Sequence, residues 1–185
     1  MSRQFWAETI FWATADGTPI ASSNTETIIF PNVTIPGNMM ADGRVLKLTA
    51  FGRHSTTGTP TMTFRARWGG VAGTVLAASG AMTCGSAVSA AQWKVELWIQ
   101  TRSNGSSGTL FCVGTARLGE DASSTVGSAT NSGAEDFMGS AGVATPAVAT
   151  VDLTADTALS ITANWSVANA SNTLTGHVYI GELKN

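Results

Sequence analysis

From Arg44 onward the chain alternates apolar and polar positions with a period of two, which predicts strands rather than helices. Over Thr61 to Trp68, the residues Met62, Phe64, Ala66 and Trp68 alternate with Thr61, Thr63, Arg65 and Arg67, so one face is core and the other is wet. Arg44 to Arg53 repeats the pattern, with Leu46, Leu48 and Ala50 opposed to Lys47, Thr49 and Arg53. Gln92 to Arg102 sets Trp93, Val95, Leu97 and Ile99 against Lys94, Glu96, Trp98, Gln100 and Arg102, which leaves Trp98 as an aromatic exception on the polar side. Asn104-Gly105-Ser106-Ser107-Gly108 has the length and residue types of a hairpin loop, so Gln92 to Arg102 should pair with Thr109 to Arg117.

Elsewhere the signal is weaker. Thr27 to Phe30, closed by Pro31, and Val33 to Ile35, closed by Pro36-Gly37, read as short edge strands, because proline cannot donate to a ladder. Thr74 to Ala81 is a further candidate strand. Residues 119 to 146 turn into small polar residues and are expected to form a long excursion with room for a short strand. Ala147 to Leu153, Ala158 to Ser166 and Thr173 to Glu182 close the chain. In them Leu159, Ile161, Ala163 and Trp165 form one inward row and Leu174, Val178 and Ile180 another. Eight to ten strands without a helix predict an all-β, two-sheet antiparallel sandwich; a jelly roll leads, with another sandwich order as the alternative. Met62, Phe64, Trp68, Trp93, Leu97, Leu159, Ile161 and Trp165 are the expected core.

The first residues differ in kind. Phe5, Trp6, Phe11 and Trp12 put four aromatics into eight residues, around Ile10 and ahead of the turn signal Asp16-Gly17-Thr18-Pro19. Residues 1–25 are therefore expected as an N-terminal arm that packs on a neighbour, with burial of its aromatics by the parent domain as the alternative, and residues 26–185 as the sandwich domain. Glu8 interrupts the apolar run that a secretory leader requires, so a reducing compartment is expected. In such a compartment Cys84 and Cys112 stay free as small core residues; a single disulfide between them is the alternative. The uncharged stretch Trp68 to Trp93 is long enough to span a bilayer but is rich in Gly and Ser, and it reads as strands and turns.

Composition narrows the chemistry. Of 185 residues only 12% are charged, about half the usual share, and the net charge of −2 argues against a chain-wide nucleic-acid footprint. The two histidines, His54 and His177, accompany no nucleophile motif and are expected at the surface or in subunit contacts. Cys84 and Cys112 lack zinc-ligand spacing, so no metal and no cofactor is expected. Glu120-Asp121 and Glu135-Asp136 are the carboxylate pairs that a small glycan-active enzyme would need, and adjacent acids in a loop are expected to be solvated charge. Arg65 and Arg67 form a positive stripe, extended by Arg53. Trp98, and Tyr179 beside His177, are candidate exposed aromatics for a partner's pocket.

Leu46-Lys47-Leu48-Thr49-Ala50-Phe51-Gly52-Arg53, the following Ser55 to Arg67, and the later Trp93 to Leu97, Gly105 to Thr109, Leu159 to Trp165 and Ala168 to Thr173 resemble the β-rich structural proteins of tailed-phage virions. The similarity runs over residues 44 to 182 as a pattern. It implies a non-enzymatic capsid decoration or cement protein: a homotrimer assembled in the host cytoplasm that binds the major capsid protein on the capsid exterior and stabilises the head. No nucleic-acid or membrane partner is expected. The contact residues expected from the aromatics and charges are Phe5, Trp6, Ile10, Phe11, Trp12, Arg65, Arg67, Trp98, His177 and Tyr179. The alternative is a head or tail fibre domain that recognises host glycans.

Overall fold

The computed structural model describes residues 6–119, 134–140 and 145–184. In chain order the strands are β1 (Ala7–Trp12), β2 (Ile20–Ala21), β3 (Thr27–Ile28), β4 (Val33–Ile35), β5 (Val45–Ser55), β6 (Thr61–Trp68) and β7 (Thr74–Ala78). They continue with β8 (Met82–Thr83), β9 (Ala91–Ser103), β10 (Gly108–Leu118), β11 (Glu135–Met138), β12 (Ala147–Val151), β13 (Thr157–Trp165) and β14 (Thr173–Lys184). Two antiparallel sheets face each other. The larger runs β1-β14-β5-β9-β10-β11, with β12 also on β10 and β2 also on β14. The smaller runs β3-β13-β6-β7, with β4 on β13 and β8 on β6. Numbering the principal strands β1, β3 with β4, β5, β6, β7, β9, β13 and β14 from first to eighth, the sheets read 1-8-3-6 and 2-7-4-5. That is the interlocked order of a jelly roll, widened by the insertion β10–β12.

The two-residue period does what it predicts in the central strands. In β6 and β9 every second residue is buried, and all eight expected core residues are at most 5% exposed. Between the sheets runs an unbroken line of aromatic contacts: Phe11 to Tyr179 at 4.9 Å, Tyr179 stacked on Phe30 at 4.9 Å, Phe30 to Trp93 at 6.4 Å, and Trp93 to Phe64 at 5.3 Å. Three buried indoles each donate to a main-chain carbonyl: Trp68 to Asp152, Trp93 to Thr175 and Trp165 to Ile20. A buried indole N–H without such an acceptor would cost free energy, so these bonds fix where each ring lies.

Several expectations need correction. From Trp6 on, the expected arm belongs to the sandwich: Ala7–Trp12 pairs with the last strand, Ile20 is core, and the amides of Ala13 and Gly17 donate to Tyr179 and Gly176. The reason is apolar area, since the Phe11 ring fills the space above Gly181, where a Cβ would lie 2.2 Å from it. In β14 the expected phase reverses partway. A bulge between Gly176 and Val178 inserts His177, so Leu174 points inward but Val178, 39% exposed, and Ile180 turn outward, and Tyr179 is buried instead of standing beside His177. Burial raises the ionisation of the Tyr179 phenol well above its usual range. His54 is also buried, because it continues the inward series Leu46, Leu48, Ala50 of β5. Cys84 and Cys112 are free and buried, and burial pushes both thiols up to about 12.

Candidate functional site

Among the described residues, the outer face of the larger sheet collects most of the cations and several of the exposed aromatics. Register places Thr9, Glu182, Lys47, Trp98 and Val113 side by side across five strands. The next row on the same face is Trp12, Ile180, Thr49, Glu96, Thr115 and Phe137. With strands about 4.8 Å apart, that second row is about 24 Å long. Trp12 and Phe137, at its two ends, are 64% and 62% exposed, and Trp98 is 38% exposed. The face is therefore broad and studded with apolar rings, unlike a closed pocket.

Six of the ten Lys and Arg residues project from this face, namely Lys47, Arg53, Lys94, Arg102, Arg117 and Lys184, against Glu96, Glu135 and Glu182 of the twelve acids. A chain with net charge −2 thus has a local surplus of three positive charges here. The cations are threaded between rings. Lys47 and Lys184 lie 5.4 and 5.8 Å from the Trp98 ring centre, Lys94 lies 5.6 Å from Phe51, and Arg102 lies 4.7 Å from Phe111. Such placements hold long side chains in order and keep the rings from collapsing together. Glu96 binds Lys94 at 2.9 Å and Lys47 at 3.7 Å; the Lys94 hydrogen bond is the main reason its carboxyl sits below the usual range.

Of the contact residues expected from sequence, Trp12 and Trp98 come together on this face. Trp6 and Ile10 are half-buried against the core, and the Arg44 guanidinium lies 5.6 Å from the Trp6 ring. Phe11 and Tyr179 point inward. Phe5 lies outside the described residues. Arg65 and Arg67 are on the outside of the other sheet and are already engaged: Arg67 makes a two-pronged pair with Glu26, 2.7 Å on its Nη2 side, and Arg65 bonds Asn164 and lies 3.4 Å from Glu26. His177 stands at the sheet's end with its Nδ1 2.7 Å from Asp16.

The carboxylate pairs do not form a cleft. Glu135 and Asp136 follow one another in β11 and so point to opposite faces; Glu135 pairs with Arg117 at 3.3 Å, and Asp136 accepts the Gly80 amide at 2.6 Å. Glu120-Asp121 lies outside the described residues. Sequence reasoning missed Phe51, Lys94, Phe111, Phe137 and Val148 as members of the face. Phe137 lay in the segment read as a long excursion; for the others the strands were visible, but which of them lie side by side was not, and only the register aligns them.

Compared with protein-family models, with characterised proteins and with solved structures, the chain matches none.

Proposed function

We propose that this protein is a non-enzymatic structural component of a tailed-phage virion, a capsid decoration protein that docks through the outer face of its larger sheet. The observation that carries the reading is that Trp12 and Trp98, the two exposed tryptophans, share that cation-rich face three strands apart. Tryptophan is among the residues around which protein interfaces concentrate their energy, and Trp98 is flanked by Lys47 and Lys184. A shell of repeated subunits offers the same surface many times. Many modest contacts by a homotrimer would then add through avidity without any need for a deep pocket. The phage-type pattern of residues 44 to 182 supports the choice of shell.

The test is co-sedimentation with expanded capsids, comparing the full chain with Trp98→Ala and Trp12→Ala. Binding by the native chain, lost by at least tenfold in the double variant with its melting temperature unchanged, supports docking through this face. Absence of the native chain from capsid pellets overturns the reading, as does undiminished binding by the double variant. Light scattering should report three copies per particle in solution.

A further inference from the structure

At the end of the same face, beyond Phe51, lies an open groove of about 400 Å³ lined by Phe51, Gly52, Arg53, Gln92, Trp93 and His177. Arg53 on β5 stands between Gln92 on β9 and Thr175 on β14. It is unlike the other basic side chains. Lys47, Lys94, Arg65, Arg67 and Arg117 pair with carboxylates, Arg44 bonds the Met39 carbonyl, and Arg102 and Lys184 sit over rings. Among the described residues Arg53 alone has none of these partners, and it is exposed at the groove.

His177 is there because of the bulge. A bulge re-aims one side chain out of the regular alternation, and such devices gather beside binding sites. Its Nδ1 is committed to Asp16 at 2.7 Å, so Nε2 is the ring nitrogen left to meet a ligand. The groove thus offers a planar guanidinium fork that matches a carboxylate, an amide with both a donor and an acceptor, an imidazole nitrogen and the 37%-exposed Phe51 ring. A carboxylate alone would use only the first of these. A sugar ring that carries a carboxylate uses all four: hydroxyls for Gln92 and His177, and a C–H face for Phe51. Asp16 opposes an anion, but its charge is turned toward His177.

We propose that this groove binds the carboxylate-bearing sugar of an anionic glycan. The inference does not rest on capsid docking. Arg53 lies six residues along β5 from Lys47, which neighbours Trp98, so it is about 20 Å from that part of the face, and Phe51 is about 13 Å from it.

Calorimetric titration of the full chain with a hyaluronan tetrasaccharide, its carboxyl-reduced form and inorganic phosphate at one ionic strength tests it. The acidic sugar should bind with a submillimolar Kd, and the reduced form at least tenfold more weakly. Arg53→Gln should lose at least tenfold and Phe51→Ala at least fivefold, both with unchanged melting temperatures, in a titration that contains no capsids and so reads the groove apart from docking. Equal binding of the two sugars overturns the proposal, as does an unaltered Arg53→Gln variant or no binding at millimolar sugar. Phosphate or a glutamate-rich peptide that displaces the sugar at equal affinity would make the groove a general anion or peptide site and equally overturn it.

Discussion

Trp93 lies directly under Gly52, with its indole nitrogen donating to the Thr175 carbonyl at 3.1 Å on the next strand. A Cβ on Gly52 would sit 2.5 Å from that nitrogen and 1.9 Å from the Thr175 oxygen. Three neighbouring strands therefore depend on one missing methyl group, and the bulge in β14 begins one residue past Thr175.

Gly52→Ala should destabilise the fold by about 2 kcal/mol or more, since the obstacle is backbone and a buried ring, neither of which can step aside cheaply. Urea unfolding followed by tryptophan fluorescence measures it. A loss below about 0.5 kcal/mol would show that β5 and β14 separate more freely than their packing suggests.

The same corner marks the limit of sequence reading. The alternation in β6 and β9 identified the core residue by residue, because in a half-buried strand the side-chain period is fixed by geometry. In β14 the alternation was equally visible, yet it gave the wrong face for Val178 and Tyr179, because one inserted residue reverses the phase and His177 carries no mark of insertion. The N-terminal aromatics misled for a related reason. Their hydrophobicity was plain, but the space that receives Phe11 is made by Gly181, some 170 residues later. The row of aromatics and cations on the larger sheet is a property of register between strands far apart in the chain, as in Trp12, Ile180, Thr49 and Glu96. No local pattern encodes it.

Glu26 holds Arg67 and Arg65 on the smaller sheet, and Thr162 donates to the same carboxylate. Burial alone would raise its carboxyl, but the hydrogen bonds from Arg67 and Thr162 and the two guanidinium charges outweigh it, so the pKa falls below the usual 4.5. A depressed carboxylate contributes stability above its unfolded pKa and loses it as pH falls through the folded one. Glu26→Gln should cost about 2 kcal/mol at pH 7, where two part-buried guanidinium groups lose their acid. The difference from the native chain should shrink below pH 4. A constant difference down to pH 2.5 would remove the charge from the explanation.

Cys84 and Cys112 are 3% and 0% exposed, with thiols pushed up to about 12 by burial. Thiolate is the reacting species, so neither should react with a disulfide reagent in the native protein over an hour at pH 8. In denaturant both should react, which mass spectrometry of the alkylated chain would count. Rapid labelling of one thiol in the native state would reveal local opening of the strand that carries it.

His54 gives the sharpest pH signature. It is 1% exposed, neither ring nitrogen reaches a partner in hydrogen-bonding geometry, and burial lowers its pKa from 6.5 to about 4 against a smaller upward pull from the backbone at Ala91 and Gly119. The unfolded chain takes up the proton near pH 6.5 and the folded chain only near 4, so between those values the unfolded state binds more protons. Stability must then be full above pH 6.5 and fall as pH drops toward 4, by about 1.4 kcal/mol per unit at the steepest and about 3 kcal/mol in all. This window lies above the one set by Glu26, so the two effects separate along the pH axis. Urea midpoints measured at pH 7.5, 6.5, 5.5 and 4.5 trace the slope, and His54→Phe, an aromatic without a proton to bind, should flatten it whatever its absolute stability. If the slope between pH 6.5 and 4.5 survives in His54→Phe, the buried imidazole is not its source, and the proton uptake must be sought at another group.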